Sequence, residues 1–409
     1  MDFNKSSRIF IACPNRMANH LAHEVEQLNY PVIQVFKTGV EINGSLKDCI
    51  RLNLNLRCAT QVRFSLREFR ANRPEEIYQE ALKFPWEEII PSGGMFSVSN
   101  SAEHFTLNNT MFMNVKMKDA IVDRFREKTG VRPNSGKDLT GVCIHLHWKD
   151  DHAEFLLNTS GEVISRHGYR RIPGKAPMQE SLAAALIMAS VWDMKSPFIN
   201  PMCGSGTLAI EAALMATGRK PGLIERDYAF CHLVGYSADL LDECREEIKQ
   251  QIKLPEEGLR ILATDINPNA VEDARENARY AGVEDLIEFQ CCDYRETPLP
   301  PPPGVIILNP EYGLRLGELE QLKNTYGEIG DFFKQKCGGY FGYVFTGNLE
   351  LAKSIGLKPK RRLEFYQLHW IAGFWSMSFM PVPDGKLTGL KPDLIPFKPN
   401  LVTSAKCRF

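Results

Sequence analysis

"PFINPMCGSGTLAIEAALMA", residues 197–216, passes from a short apolar run through Gly204-Ser205-Gly206 into an alanine-rich segment. A strand, a glycine turn and a helix in that order open a parallel α/β unit. Glycine permits the tight turn and lets a ligand approach the backbone closely. The helix end behind it offers free N–H groups and a positive dipole, so an anionic group is expected there. Taken alone, Gly204-x-Gly206-x-x-Ala209 is also compatible with a dinucleotide-binding turn, whereas the lack of a following Gly-Lys-Ser/Thr argues against a triphosphate loop.

The strands that follow narrow the choice. A dinucleotide fold places an acid about 20 residues after the turn. Here the next convincing strand, "GLRILATD" (258–265), comes only after a helical excursion over residues 219–251, and it ends at Asp265. A carboxylate in that place accepts the two hydroxyls of a ribose; the alternative is that Asp265 caps the helix over 267–282. A third strand, "LIEFQCCD" (286–293), stops at Asp293, an acceptor for an adenine amino group. The fourth, "GVIILN" (304–309), runs into Asn309-Pro310-Glu311-Tyr312-Gly313. All four stretches therefore end on one rim of the sheet, where open α/β folds bind ligands.

The last stretch has the make-up of a clamp for an exocyclic amine. Such a nitrogen is a poor nucleophile, because its lone pair is delocalised into the base, and it has to be held. The side-chain oxygen of Asn309 and the carbonyl of Pro310 would engage both N–H bonds and aim the nitrogen at an electrophile. Tyr312 would stack on a base drawn out of its helix, and Gly313 would leave room for it. The electrophile that fits is the methyl sulfonium of S-adenosylmethionine, with its amino-acid end at the Gly turn, its ribose at Asp265 and its adenine at Asp293.

The upstream half reads differently. Residues 8–13 suggest a strand, 19–29 an amphipathic helix and 32–42 a hairpin, which together make a small α+β unit. Helix-period apolar positions follow over 46–71 and 73–90, with Pro74 near a helix start, and then a strand over 95–103. A long helix over 111–130, stopped by Gly130, leads to paired strands over 141–150 and 151–161. His145 and His147 share a strand face there, which reads as a polar face and not as a metal site. A basic, Gly/Pro-marked junction then introduces an alternation of helix and strand expected to form a parallel sheet up to about residue 380. The Pro- and Lys-rich end, residues 386–409, reads as an extended tail.

A net charge of −1 over 409 residues excludes a wholly basic nucleic-acid binder but hides two clusters. Residues 51–73 hold six arginines, Arg51, Arg57 and Arg63 among them, against the single acid Glu68. Residues 111–137 hold seven cations, including Lys116, Lys118, Arg124 and Lys137, against three acids. Eleven scattered cysteines without a C-x-x-C spacing support neither a disulfide framework nor a zinc site. The start lacks the apolar core of a signal peptide, and the longest apolar stretch, "LAAALIMASVW" (182–192), is too short to span a bilayer. The expectation is a soluble, cytoplasmic protein without a metal.

"NPMCGSGT" (200–207), "ATDIN" (263–267), "CCD" (291–293) and "NPEYGLR" (309–315) resemble the class I S-adenosylmethionine-dependent RNA methyltransferases with an (Asp/Asn)-Pro-Pro-Tyr motif. Upstream stretches such as "FPWEEII" (84–90), "LNTSGEVISRHGYR" (157–170) and "APMQESLAAALIMAS" (176–190) are similar to the bacterial THUMP-domain group that methylates guanine N2 in large-subunit ribosomal RNA. The resemblance implies a ferredoxin-like unit over 1–44, a THUMP domain over 45–158, a Rossmann-like methyltransferase domain over 159–385 and the tail. It adds Asn200, Pro201 and Ile266 to the cofactor site. It gives the basic clusters an RNA-holding role that Arg166, Arg170 and Arg171 extend. Asn200 stands where the group has an acid, and Glu311 where it has a second proline. Glu311 is read as outward-facing, with a role as proton acceptor as the alternative. Methylation of tRNA or of adenine N6, nicotinamide binding, and RNA binding by a domain that has lost its chemistry are the competing readings.

Overall fold

Ile9 and Ile11 are fully buried, while Arg8 and Phe10 are only half-buried, the two-residue period of a strand lying on a core. This strand, β1 (Ser7–Ala12), lies within an eight-stranded sheet. The computed structural model describes residues 2–105, 107, 109–136, 139–172, 177–312, 319–367 and 370–378. The tail over 386–409, Gly313 and Lys137 lie outside the described residues.

After β1 come α1 (Ala18–Gln27), the hairpin β2 (Gln34–Phe36) and β3 (Gly39–Gly44), α2 (Leu46–Asn55) and β4 (Gln61–Arg70). They are followed by α3 (Pro74–Lys83), β5 (Met95–Glu103), α4 (Met111–Thr129), β6 (Asn134–Gly136), β7 (Val142–Lys149) and β8 (His152–Asn158). The strand order is β2-β3-β1-β4-β8-β7-β5-β6. Since β1 pairs with β3 on one side and β4 on the other, the sheet runs unbroken past residue 44.

One expectation fails here. The apolar spacing over 46–71 predicts helix throughout, but only α2 is helical, and β4 is a strand. Ser45 and Asp48 start α2 with a reciprocal capping box, and Leu56 ends it in extended geometry. Beyond that point Val62 and Phe64 lie opposite Ile11 and Ile9 of β1. The run carries both periods, and burial against a partner strand decides for extension.

The second sheet contains β9 (Phe198–Pro201), β10 (Ile261–Asp265), β11 (Ile287–Cys291), β12 (Gly304–Leu308), β13 (Tyr340–Thr346), β14 (Arg361–Gln367) and β15 (Trp370–Ser378). Its helices are α5 (Glu180–Ala189), α6 (Thr207–Ala216), α7 (Ala238–Lys249), α8 (Pro268–Ala281), α9 (Leu319–Lys336) and α10 (Leu349–Ser354). The order is β11-β10-β9-β12-β13-β15-β14, with the first five strands parallel. Instead of continuing the parallel sheet, β14 and β15 form an antiparallel hairpin at its edge. From β9 the chain winds outward through β10 to β11 and then returns to β12 on the other side. This reversal opens a crevice at the C-terminal ends of β9 and β12.

The two sheets are tied together by side chains. Lys47 and Arg51 of α2 pair with Glu243 and Glu247 of α7. Arg16 pairs with Glu364, and His20 stacks on Phe365 at 5.6 Å. Among the described residues, no helix is long and apolar enough to cross a membrane.

Candidate cofactor and substrate site

The glycine turn leaves β9 through three left-handed residues, Met202, Gly204 and Gly206, with φ of 55°, 54° and 80°. The two glycines serve different ends. A Cβ on Gly206 would stand 2.8 Å from the Ala274 Cβ, so its bareness lets α6 pack on α8. A Cβ on Gly204 would meet nothing within 4 Å, which leaves open space on the face where a ligand would lie.

Asp265, at the end of β10, braces this turn: its Oδ2 accepts from the Gly204 N–H at 2.9 Å and its Oδ1 from the Asn267 N–H at 3.0 Å. The helix cap is Asn267, whose side chain accepts from Asn269 N, and not Asp265. Ile266 follows with 70% of its surface exposed, a bare apolar side chain at the rim. Asp293 caps a short turn and receives Arg295 in a two-pronged contact at 2.8 and 2.9 Å, which holds its carboxyl below the ordinary range. An adenine amino group there would share the carboxylate with Arg295.

Asn200 is 1% exposed, at the end of β9 beside Pro201. Its Nδ2 donates to the Ile307 carbonyl at 3.0 Å, while its Oδ1 has no partner. Asn309, just past β12, likewise presents a buried Oδ1 without a partner. An unmet buried acceptor is costly, and two of them at one topological reversal call for N–H donors. The ammonium of S-adenosylmethionine and the exocyclic amine of a base are such donors, so the residues present fit this cofactor and an amine substrate. Pro310 is buried and the Glu311 side chain is exposed. The Tyr312 ring lies over Gly347, where a Cβ would come within 3.2 Å of it.

The cationic residues separate on inspection. Arg57 is a correction: it is 4% exposed, pairs with Glu211 of α6 and donates to the Leu214 and Arg219 carbonyls. It is a buried strut between the two sheets, closed to RNA. Arg170 also leaves the proposed track, since its guanidinium donates to Thr207 at 2.9 Å and to the Met178 carbonyl, bracing the first turn of α6. Arg63 lies across the first sheet against Gln61 and His145, and burial pulls its pKa down to about 10. Arg51, Lys116 and Arg124 pair with Glu247, Glu75 and Glu87. Lys118 donates to the Gly136 carbonyl. Arg166 and Arg171 are exposed, and Arg171 lies over the Tyr280 ring at 5.2 Å. His145 is buried in hydrogen bonds with Ser99 and Ser101, and among the described residues no group of three His, Cys, Asp or Glu is arranged to hold a metal.

Three family models match the chain: an RlmL ferredoxin-like domain over residues 8–63, a THUMP domain over 71–157 and an RMKL-like methyltransferase domain over 167–371. Ribosomal RNA large subunit methyltransferase K/L of Syntrophotalea carbinolica is 33% identical over 371 residues, covering 88% of this chain and 52% of that protein. The protein of the same name from Pseudomonas paraeruginosa is 32% identical over 367 residues, covering 88% and 51%. The chain thus spans about half the length of the curated relatives it matches. Solved structures match over most of the chain. SMU.472, a putative methyltransferase complexed with SAH, shows a TM-score of 0.82 at 26% identity, covering 94% of this chain and 100% of that one. A predicted N6-adenine-specific DNA methylase from Listeria monocytogenes shows 0.82 at 27%, covering 92% and 97%. With the RMKL-like methyltransferase model covering half of its length and the rim of that fold assembled as described, this chain belongs to the RMKL-like methyltransferase domain family.

Proposed function

We propose that the protein transfers a methyl group from S-adenosylmethionine to the exocyclic N2 of a guanine in large-subunit ribosomal RNA, in the cytoplasm. In this reading residues 45–158 hold the RNA and residues 159–385 carry the chemistry. The observation that carries it is the pair of unpartnered amide oxygens, Asn200 Oδ1 and Asn309 Oδ1, at the reversal between β9 and β12. The ribosomal RNA substrate is supported by the names of the relatives and by the THUMP match.

Bound S-adenosylmethionine supplies a methyl carbon on a positively charged sulfur. Asn200 Oδ1 would accept from its ammonium, Gly204 would admit its amino-acid end and Asp265 would accept from its ribose. Asn309 Oδ1 and the Pro310 carbonyl would hold the guanine amine toward the methyl group, and Tyr312 would stack on the base. Transfer would form the nitrogen–carbon bond as the carbon–sulfur bond breaks, with S-adenosylhomocysteine as the leaving group and the surplus amine proton passing to solvent water. Rate is gained mainly by position, since holding reactants in line replaces an improbable encounter.

Transfer of labelled methyl to unmodified ribosomal RNA, recovered as N2-methylguanosine and abolished by Asn309→Ala, is the expected result. A second reading, adenine N6 as acceptor, is favoured by the name of the Listeria relative, because an amine clamp serves either base. Label in N6-methyladenosine would establish it in place of the first. Absence of label in any nucleic acid, with cofactor and RNA both bound, would overturn both.

A further inference from the structure

The loop Asn309–Tyr312 has one proline where the resembling group has two, so its backbone is less restrained at Glu311. Beneath it lies Tyr326 of α9, fully buried, with its hydroxyl 3.3 Å from the Glu311 carbonyl oxygen and 2.9 Å from Thr346 Oγ1. Thr346 Oγ1 in turn accepts from the Asn348 N–H at 3.2 Å, and Asn348 caps α10 by accepting from the Glu350 and Leu351 N–H groups. The Glu311 carbonyl can only accept, and the Asn348 N–H can only donate. Every group is therefore satisfied when Thr346 donates to Tyr326 and Tyr326 donates to Glu311. The same end of β13 carries Gly347, the floor under Tyr312.

We propose that Tyr326 is a positioning residue for methyl transfer: its buried hydroxyl fixes the Glu311 carbonyl, and so the placement of Asn309 and Tyr312, in place of the restraint a second proline would give. This rests on the amine-clamp reading of the loop. Tyr326 does not touch the reacting atoms. It ties the clamp to the β13–α10 junction, and a small slip of the clamp is costly because in-line geometry tolerates little displacement. Burial pushes the phenol well above its ordinary value, which keeps the hydroxyl protonated and donating.

The test compares Tyr326→Phe in the natural chain and in Glu311→Pro. Among the described residues the Glu311 N–H meets no backbone acceptor, so proline removes no bond seen there. In the natural background kcat is expected to fall about tenfold, the loss of one hydrogen bond, with KM for S-adenosylmethionine and RNA affinity unchanged. In the Glu311→Pro background the same change should cost less than threefold, because the proline restores restraint. Exchange of the Asn309 and Tyr312 amides, the two present in both backgrounds, read without substrate, should quicken in Tyr326→Phe and slow again in the double variant. Equal kcat losses in both backgrounds, or unchanged exchange, would overturn the proposal. If Tyr326→Phe fails to fold, Thr346→Val removes the next link and is expected to quicken the same exchange; unchanged exchange in that variant would overturn the proposal equally. The exchange readout does not depend on turnover, so an inactive natural chain would refute the amine-clamp reading and leave the loop anchor separately judged.

Discussion

His167 Nδ1 lies 2.6 Å from Glu211 Oε1, and neither side chain reaches solvent. The other ring nitrogen faces the Arg57 carbonyl at 2.9 Å, so both nitrogens face oxygen atoms, an arrangement that favours the imidazolium. Arg57 and Tyr169 face the same carboxylate. Burial disfavours both charges, yet the pair outweighs it, raising His167 above 6.5 and lowering Glu211 below 4.5.

The signs define a pH window. The raised histidine contributes stability that is complete below 6.5 and is lost as pH climbs through its folded value. The lowered glutamate contributes stability that is complete above 4.5 and is lost as pH drops through its folded value. Both are present in full between 4.5 and 6.5. Thermal melts against pH should show a Tm gap between the natural chain and His167→Gln that is widest in this window. A gap that does not vary with pH would refute the charged pair.

Arg57→Ala and Arg171→Ala should separate two kinds of arginine. Loss of Arg57 takes one of two cations from the buried Glu211 carboxylate, strips the Leu214 and Arg219 carbonyls of their donor and is expected to destabilise the fold by roughly 3–5 kcal/mol, with the salt dependence of RNA binding unaltered in the folded fraction. Loss of exposed Arg171 should leave the Tm in place and lower the slope of log affinity against log salt by roughly 0.7–0.9. Paired denaturation and binding titrations decide it.

Gly204→Ala and Gly206→Ala should fail in different ways. Both residues are left-handed, so each change costs about 1–2 kcal/mol. At position 206 the methyl also strikes Ala274, adding to the destabilisation. At 204 it enters open space, so the larger effect is expected in S-adenosylhomocysteine affinity measured by calorimetry.

Asn200→Ala removes an acceptor aimed into the crevice and frees the Ile307 carbonyl of its donor. Cofactor KM should rise about tenfold and stability should fall by about 1–3 kcal/mol, with kcat at saturation little altered. An unchanged KM would take Asn200 out of the cofactor site.

The rim was legible because its chemistry is local in the chain. Gly204-Ser205-Gly206, Asp265 and Asn309-Pro310 each announce a turn or a strand end within a few residues, and the parallel order of β9 to β13 brings them together. Properties decided by distant partners were hidden. Arg57 and Arg170 look in sequence like members of a basic run, and only their contacts with Glu211 and Thr207 of α6 make them struts. The extended state of β4 depends on β1, about fifty residues earlier. Tyr326 carries no signal at all, since an aromatic on an amphipathic helix reads as core; its hydroxyl gains meaning only from Glu311 and Thr346.

The strand β4 hydrogen-bonds to β1 along one edge and to β8 along the other. The ferredoxin-like match ends within it, at residue 63, and the THUMP match begins at 71, directly after it. The two matched segments are thus halves of a single hydrogen-bonded ladder. A chimera that replaces either half must supply β4 with a compatible edge on both sides, so the pair is exchangeable between relatives only as one cassette, with any graft cut falling beyond residue 158.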